Sequence, residues 1–218
     1  MDSEPGEGKM DAKFWEDRYR SRDQLFSGSP NGVLVTEIDG LPPGQALDVG
    51  CGEGADARWL ASHGWHVTAV DISRTALHRA AAAARSADPA TEEAAAAERI
   101  AWVCADLAVS PLPVEAFDLI SVQYFPLRRQ SGDGPVKQVL DAVAPGGTLL
   151  FVSHDPGDLS AEHHVGDYYQ PADIAPLLGD GWTVLVNESR PRVAPAPPGT
   201  AHTRDTVLRA RKVGHNRK

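Results

Sequence analysis

Residues 46–54, ALDVGCGEG, set an apolar run with one embedded acid directly before a turn that carries three glycines in five residues. An apolar run of this length bounded by glycine reads as a strand buried on both faces. The glycines that follow leave a bare backbone that a ligand can approach closely, and a helix is expected to begin at Ala55. A strand, a tight loop and a helix in this order commit the chain to a wound α/β sheet, and they mark the loop as a nucleotide-cofactor site.

The rest of the chain alternates in the same way. AKFWEDRYR sets Phe14, Trp15, Arg18 and Tyr19 at helical spacing, and Pro42, Pro43 and Gly44 turn the chain into a first strand, Gln45 to Val49. The helix from Ala55 runs to about His63, with Gly64 at its C′ position. His66 to Val70 is a second strand closed by Asp71, and Ser73 is placed to cap a helix running to about Ala87. Asp88 and Pro89 suit the N-cap and first position of a further helix. Ile100 to Cys104 and Phe117 to Gln123 are the third and fourth strands, and Val136 to Val143 is a helix. The turn APGG leads to a fifth strand, Thr148 to Ser153. Pro171 to Leu178 is a helix, and WTVLVN and DTVLRAR are two final strands.

Composition narrows the function classes. At 218 residues one domain is expected, spanning 11–211, after a disordered segment 1–10 and before a basic flexible tail 212–218. No apolar run is long enough to span a bilayer, and MDSEPGEGKM lacks the basic and apolar regions of a signal peptide, so a cytoplasmic location is expected. Cys51 and Cys104 are the only cysteines, which speaks against a disulfide framework or a zinc site. A formal net charge of −9 disfavours a large polyanion such as DNA or RNA as substrate and favours a small molecule.

Four features belong at the carboxyl edge of one sheet if the loop holds a cofactor. They are the loop itself (Gly50, Gly52 and Gly54), Asp71 about 20 residues after it, Asp106 in CADL, and Asp48 within the first strand. An acid in the position of Asp71 reaches the two hydroxyls of a ribose. Asp106 is placed to accept from an exocyclic amino group, with Ile72 and Leu107 on either side of an adenine ring. Gly50, Gly52 and Ala55 also satisfy a relaxed dinucleotide pattern, which keeps a nicotinamide-dependent oxidoreductase open as an alternative. Asp48 counts against it, because a pyrophosphate at the loop disfavours negative charge two residues before the first glycine. An acid there suits a ligand that carries positive charge and an amine.

With LDVGCGEG, VTAVDIS, CADL, FDLISVQYFPL and PGGTLLFVSH in this order, the chain resembles the class I S-adenosylmethionine-dependent methyltransferases over nearly its whole length. FWEDRY, PNGVL and VDIS are similar to the small-molecule branch that contains the tellurite-resistance and thiopurine S-methyltransferase-like proteins. The resemblance implies a seven-stranded Rossmann-like doubly wound sheet, mostly parallel with the last strand antiparallel, and helices on both faces. It implies S-adenosylmethionine as cofactor and S-adenosylhomocysteine as product. The cofactor contacts would be Asp48, Gly50, Cys51, Gly52, Gly54, Asp71, Ile72, Asp106, Leu107 and Gln123. The acceptor would be a small thiol, chalcogen oxyanion, phenol or quinol, with no nucleic acid or membrane partner, in a monomer or homodimer. A cofactor-binding protein without turnover is the other alternative.

A sulfonium methyl is already activated, so the protein chiefly has to align a nucleophile and exclude water. His154, after the fifth strand, is the candidate base or acceptor contact. Trp15, Tyr19, Tyr124, Phe125 and Tyr168 are the candidate walls of the acceptor pocket, and Arg190, Arg192 and His202 flank the final strands as candidate receivers of an anionic acceptor. His163 and His164 sit among carboxylates, but no metal is expected. The fourth strand ends SVQYFPL rather than in the Asn/Asp-Pro-Pro-aromatic signature of amino methylation on nucleobases or glutamine.

Overall fold

Hydrophobic positions of the strands alternate between two separate clusters, which is what a sheet covered on both faces requires. The computed structural model describes residues 10–86, 90–158, 165–193 and 202–214. In it seven strands, β1 (Gln45–Val49), β2 (His66–Asp71), β3 (Ile100–Cys104), β4 (Phe117–Gln123), β5 (Val143–His154), β6 (Trp182–Pro191) and β7 (Arg204–Lys212), form one sheet. Their spatial order is β3-β2-β1-β4-β5-β7-β6. β1 to β5 pair in parallel, and β7 pairs antiparallel with both β5 and β6, so the last strand alone runs against the rest, as expected.

Leu47, Val49, Ile120, Leu149, Phe151 and Leu208 face one cluster, whereas Ala46, Leu119, Leu150, Val152 and Val207 face the other. Each fully buried leucine or valine of this kind contributes roughly 1.5–3 kcal/mol. The first cluster is covered by α6 (Gly134–Ala142) and α7 (Pro171–Ile174). The second is covered by α2 (Gly32–Glu37), α3 (Ala55–Ser62) and α4 (Arg74–Arg85). α1 (Ala12–Arg20) lies against α4, and α5 (Glu92–Ala97) against α3 and α4. Ser73 caps α4 as expected, its hydroxyl accepting from the Ala76 N–H at 3.2 Å.

Several boundaries differ from the sequence-based expectation, each for a physical reason. The helix after α4 begins at Glu92 under a Thr91 N-cap, whose hydroxyl satisfies the Ala94 N–H; Asp88 and Pro89 lie outside the described residues. The APGG turn lies inside β5, because Val143 already pairs with Phe117 and the ladder resumes at Thr148 with a register break. α7 stops at Ile174 and continues as a 3₁₀ turn, Ala175–Leu177. Lys212 belongs to β7 rather than to a tail, with its ammonium on the Val143 carbonyl and the Glu115 carboxylate. Residues 1–9 of the expected disordered segment 1–10, the end of the basic tail (215–218) and both His163 and His164 lie outside the described residues. Among the described residues no helix is long and apolar enough to cross a membrane.

Candidate functional site

The strand order reverses between β1 and β4, and an open α/β sheet binds ligands at the carboxyl edge beside such a reversal. The glycine loop leaves β1 there. Gly50 and Cys51 donate their N–H groups to the Val70 carbonyl at 2.8 and 3.0 Å, which stitches the loop to the end of β2. Gly50 has φ +69, and a Cβ on it would meet the Phe125 ring at 2.4 Å, so Phe125 closes directly over the loop backbone.

Asp71, 8% exposed, accepts the Gly52 N–H at 2.9 Å on one carboxylate oxygen and the Ser73 N–H at 2.8 Å on the other. It therefore ties the loop to the cap of α4 while its carboxylate lines a cavity of about 410 Å³. Of the other sequence-predicted residues, Trp15, Gly50, Ile72, Asp106, Leu107 and Phe125 line the same cavity. Met10, Asp11, Arg128, Gln130 and Ser131 line it too, though nothing in their spacing singled them out. Asp106 is held by the Ala108 N–H at 2.9 Å.

Other expected contacts lie behind this cavity rather than on its wall. Cys51, Gly52 and Gly54 build the loop, and Asp48 is buried beneath it with one oxygen lacking a hydrogen-bond partner. Gln123 does not reach the cavity lining; its amide nitrogen donates to Ser121 at 3.1 Å. Tyr19 is buried under the loop, with its hydroxyl 2.9 Å from where a Gly52 Cβ would stand. Tyr168 reaches the cavity only through Arg128, to which its backbone is bridged.

Three carboxylates dominate the electrostatics. Burial first, then Asp56 and Asp71, pushes Asp48 well above the ordinary carboxylate range, and burial raises Asp56 and Asp71 as well. Asp56 and Asp71 are satisfied by backbone N–H groups and the Asn31 amide, and none of the three carboxylates is in an ion pair among the described residues. A cation placed at the loop would relieve this, whereas a pyrophosphate would aggravate it.

The N-terminal segment is strapped over the site by two acids that sequence reasoning missed. Glu53 accepts the Leu25 and Phe26 N–H groups and Arg79. Glu16 accepts the hydroxyls of Ser73 at 2.7 Å and Thr75 at 2.6 Å, together with the Thr75 N–H. The Thr75 hydroxyl is the largest cause that holds the Glu16 carboxyl at about 2, below its ordinary 4.5. Because the folded value is depressed, the contribution of Glu16 is fully present above pH 4.5 and fades as pH falls toward 2. In urea denaturation, Glu16→Gln is expected to be less stable than the wild type at neutral pH, and the gap should shrink on acidification through that window. A gap that widens instead would contradict the strap.

A second cluster stands where β4, β5 and β7 meet. Tyr124, directly after β4, has φ +52, an uncommon conformation for a bulky residue that often marks function. Its ring stacks on His154 at 4.4 Å, and His154 stacks on His202 at 4.0 Å. The Tyr124 hydroxyl donates to Asp205 at 2.9 Å, and burial pushes the phenol up beyond the usual range, so it stays protonated. Arg192 donates to Asp205 at 3.2 Å and to His154 Nδ1 at 3.3 Å. Arginine has no acceptor, so Nδ1 accepts and the proton of the neutral imidazole sits on Nε2. Arg190, expected beside Arg192, turns instead to Glu37 on α2. Among the described residues no group of three or more His, Cys, Asp or Glu side chains is arranged to hold a metal ion.

Comparison with known proteins finds similarity in both sequence and fold. Residues 46–147, from β1 through the turn within β5, match the family model described as a methyltransferase domain. The chain is 30% identical over 149 residues to a malonyl-[acyl-carrier protein] O-methyltransferase of Pseudescherichia vulneris, covering 66% of this chain and 52% of the relative. It is 28% identical over 193 residues to thiocyanate methyltransferase 1 of Arabidopsis thaliana, covering 86% of this chain and 79% of the relative. The chain thus spans about half the length of the first of these two relatives. In fold it is similar to the N-methyltransferase NodS of Bradyrhizobium japonicum WM9 in complex with S-adenosylhomocysteine, with a TM-score of 0.68, 19% identity, and coverage of 93% of this chain and 98% of that one.

Proposed function

We propose that this chain, which belongs to the class I S-adenosylmethionine-dependent methyltransferases, transfers the sulfonium methyl group to a small-molecule acceptor: a thiol, a chalcogen oxyanion, or a phenol or quinol. The observation that carries the cofactor assignment is the set of three buried carboxylates around the glycine loop without an ion-pair partner among the described residues, next to a cavity that Asp71 and Asp106 line. S-adenosylmethionine brings a sulfonium and an α-ammonium to such a place and no phosphate. When bound, it supplies a methyl group already activated for displacement.

The protein's part is to bind and orient. Asp71 is positioned to accept from ribose hydroxyls with its carboxylate already aligned by two N–H groups. Asp106, Ile72 and Leu107 form the adenine end of the cavity, and Trp15 covers it from α1. Gly50, Gly52 and Gly54 give the loop its left-handed turns and the close approach of its neighbours, and Asp48 beneath them favours an ammonium above. Phe125 and Tyr124 wall the side where the acceptor must approach, and the N-terminal strap excludes water. Nδ1 of His154 accepts from Arg192 and is therefore not the base of this reading. This reading needs no general base for a thiolate or a chalcogen oxyanion, which enters with its own electron pair, whereas a phenol or quinol would have to enter as its anion. A cytoplasmic protein acting as a monomer or homodimer is part of the same proposal.

Calorimetric titration with S-adenosylmethionine and S-adenosylhomocysteine, with NAD and NADP as controls, tests the reading. Binding of the two sulfur compounds alone is expected. Binding of NAD or NADP alone would replace methyl transfer by hydride transfer as the chemistry to pursue. Cofactor binding without methyl transfer to any acceptor would favour a protein that senses the cofactor.

A further inference from the structure

We propose that Arg192 anchors an anionic group of the methyl acceptor, at a subsite built where β4 and β5 end and β7 begins; the inference rests on the methyltransferase reading above. The topology brings the cluster together. β4 and β5 deliver Tyr124 and His154 at their carboxyl ends, and β7, running the other way, begins at that same edge with Asp205 in register opposite His154. β6 ends there too, one residue before Arg192. Phe125 lines the cofactor cavity, and Tyr124, the residue before it in the chain, belongs to the cluster.

The network around Arg192 does not use all of its donors. Its side chain is only 12% exposed, yet its buried Nε–H has no acceptor among the described residues, and one terminal nitrogen serves both Asp205 and His154. Asp205 does not meet the guanidinium as a two-bond fork, because the same oxygen also accepts the Tyr124 hydroxyl. Burial also raises Asp205 from its ordinary range, which weakens it as a counter-charge. Arg190 shows the contrast within the same chain, with its terminal nitrogens on two separate carboxylates, Glu37 and Glu188. A buried guanidinium N–H without an acceptor is uncommon and unfavourable, and an oxyanion or carboxylate oxygen is the partner its planar fork suits best. The Tyr124 ring beneath the guanidinium, with its centroid 5.0 Å from Cζ, holds that fork in plane.

The test compares thiosalicylate with thiophenol, two thiols that differ by one carboxylate, by calorimetric titration into protein saturated with S-adenosylhomocysteine. Thiosalicylate is expected to bind at least about tenfold more tightly, in line with a charge-assisted pair. Arg192→Met should abolish the preference, and Arg192→Lys, which keeps the charge but loses the fork, should retain only part of it. Equal affinity of the wild type for the two thiols, no binding of thiosalicylate at millimolar concentration, or a preference that survives Arg192→Met overturns the assignment. Should the methionine variant fail to fold, a preference undiminished in Arg192→Lys does the same. The prior saturation step is read separately: failure of S-adenosylhomocysteine to bind overturns the methyltransferase reading itself and the subsite with it.

Discussion

Replacing Asp71 by alanine is expected to weaken S-adenosylhomocysteine binding by at least about a hundredfold, the largest effect of any single side chain at the cofactor site. Two hydrogen bonds from ribose hydroxyls to a carboxylate contribute roughly 1.5–3 kcal/mol each, so their loss alone amounts to about 3 kcal/mol or more. The structure adds a second cost. Asp71 also receives the Gly52 and Ser73 N–H groups, and its removal frees the glycine loop from the cap of α4. The two contributions separate when the ligand is changed in parallel. Wild-type protein should distinguish 5′-methylthioadenosine from its 2′-deoxy analogue, and Asp71→Ala should not, whatever the loop does. Asp71→Asn keeps one acceptor and should fall between. Calorimetric affinities unchanged in Asp71→Ala would remove the ribose contact, and the orientation of the nucleoside along the edge of the sheet would have to be reconsidered.

What made Asp71 legible in the sequence is that its place is set locally, by a strand of fixed length that follows a recognisable loop. Ser73 was legible for the same reason, since a cap needs only the residues around it. The same holds for the apolar runs of β1, β2 and β4, where burial on both faces leaves a nearly continuous hydrophobic stretch. α2 left no such mark: six residues, GVLVTE, are too few to show a helical period, and they hold a helix because Val33 and Leu34 are buried against the sheet. Asp88 and Pro89 carried a sound local signal for a helix start, but the helix took Thr91 as its cap instead. Glu16 and Glu53 act on partners 59 and 28 residues away, and nothing in their own neighbourhood shows it. The acceptor-side cluster is the extreme case. Tyr124 and Asp205 are 81 residues apart and meet only because β7 inserts antiparallel between β5 and β6. His154 stood out as a residue after a strand, but which of its nitrogens accepts depends on Arg192, a relation that exists only in the folded sheet.

The glycine loop itself supports a second large expected effect. Gly54→Ala should destabilise the fold by about 3 kcal/mol: roughly 1 kcal/mol or more for a non-glycine residue in the left-handed region, plus about 1–3 kcal/mol for overpacking. Gly54 has φ +77 at the N-cap of α3, and a Cβ there would lie 2.5 Å from the tip of the Trp102 ring and 2.8 Å from the Ala80 Cβ. The tryptophan tip has some freedom, but Ala80 is fully buried and its Cβ is fixed to the backbone of α4. Relief therefore requires α3 to draw back from α4, and with it the loop that α3 anchors. Gly40→Ala is the control, since Gly40 has φ +75 and nothing within 4 Å of its Cβ position. It should lose only the backbone contribution of about 1 kcal/mol. In a chain of this size each kcal/mol lowers Tm by about 2–4 °C, so calorimetric melts should separate the two variants by several degrees. Equal losses would mean that α3 and α4 tolerate a side chain between them, and the third glycine would then serve the turn alone. A much larger loss in Gly54→Ala, accompanied by weaker S-adenosylhomocysteine binding, is the expected result, because the approach of α3 to α4 also holds the loop against Asp71.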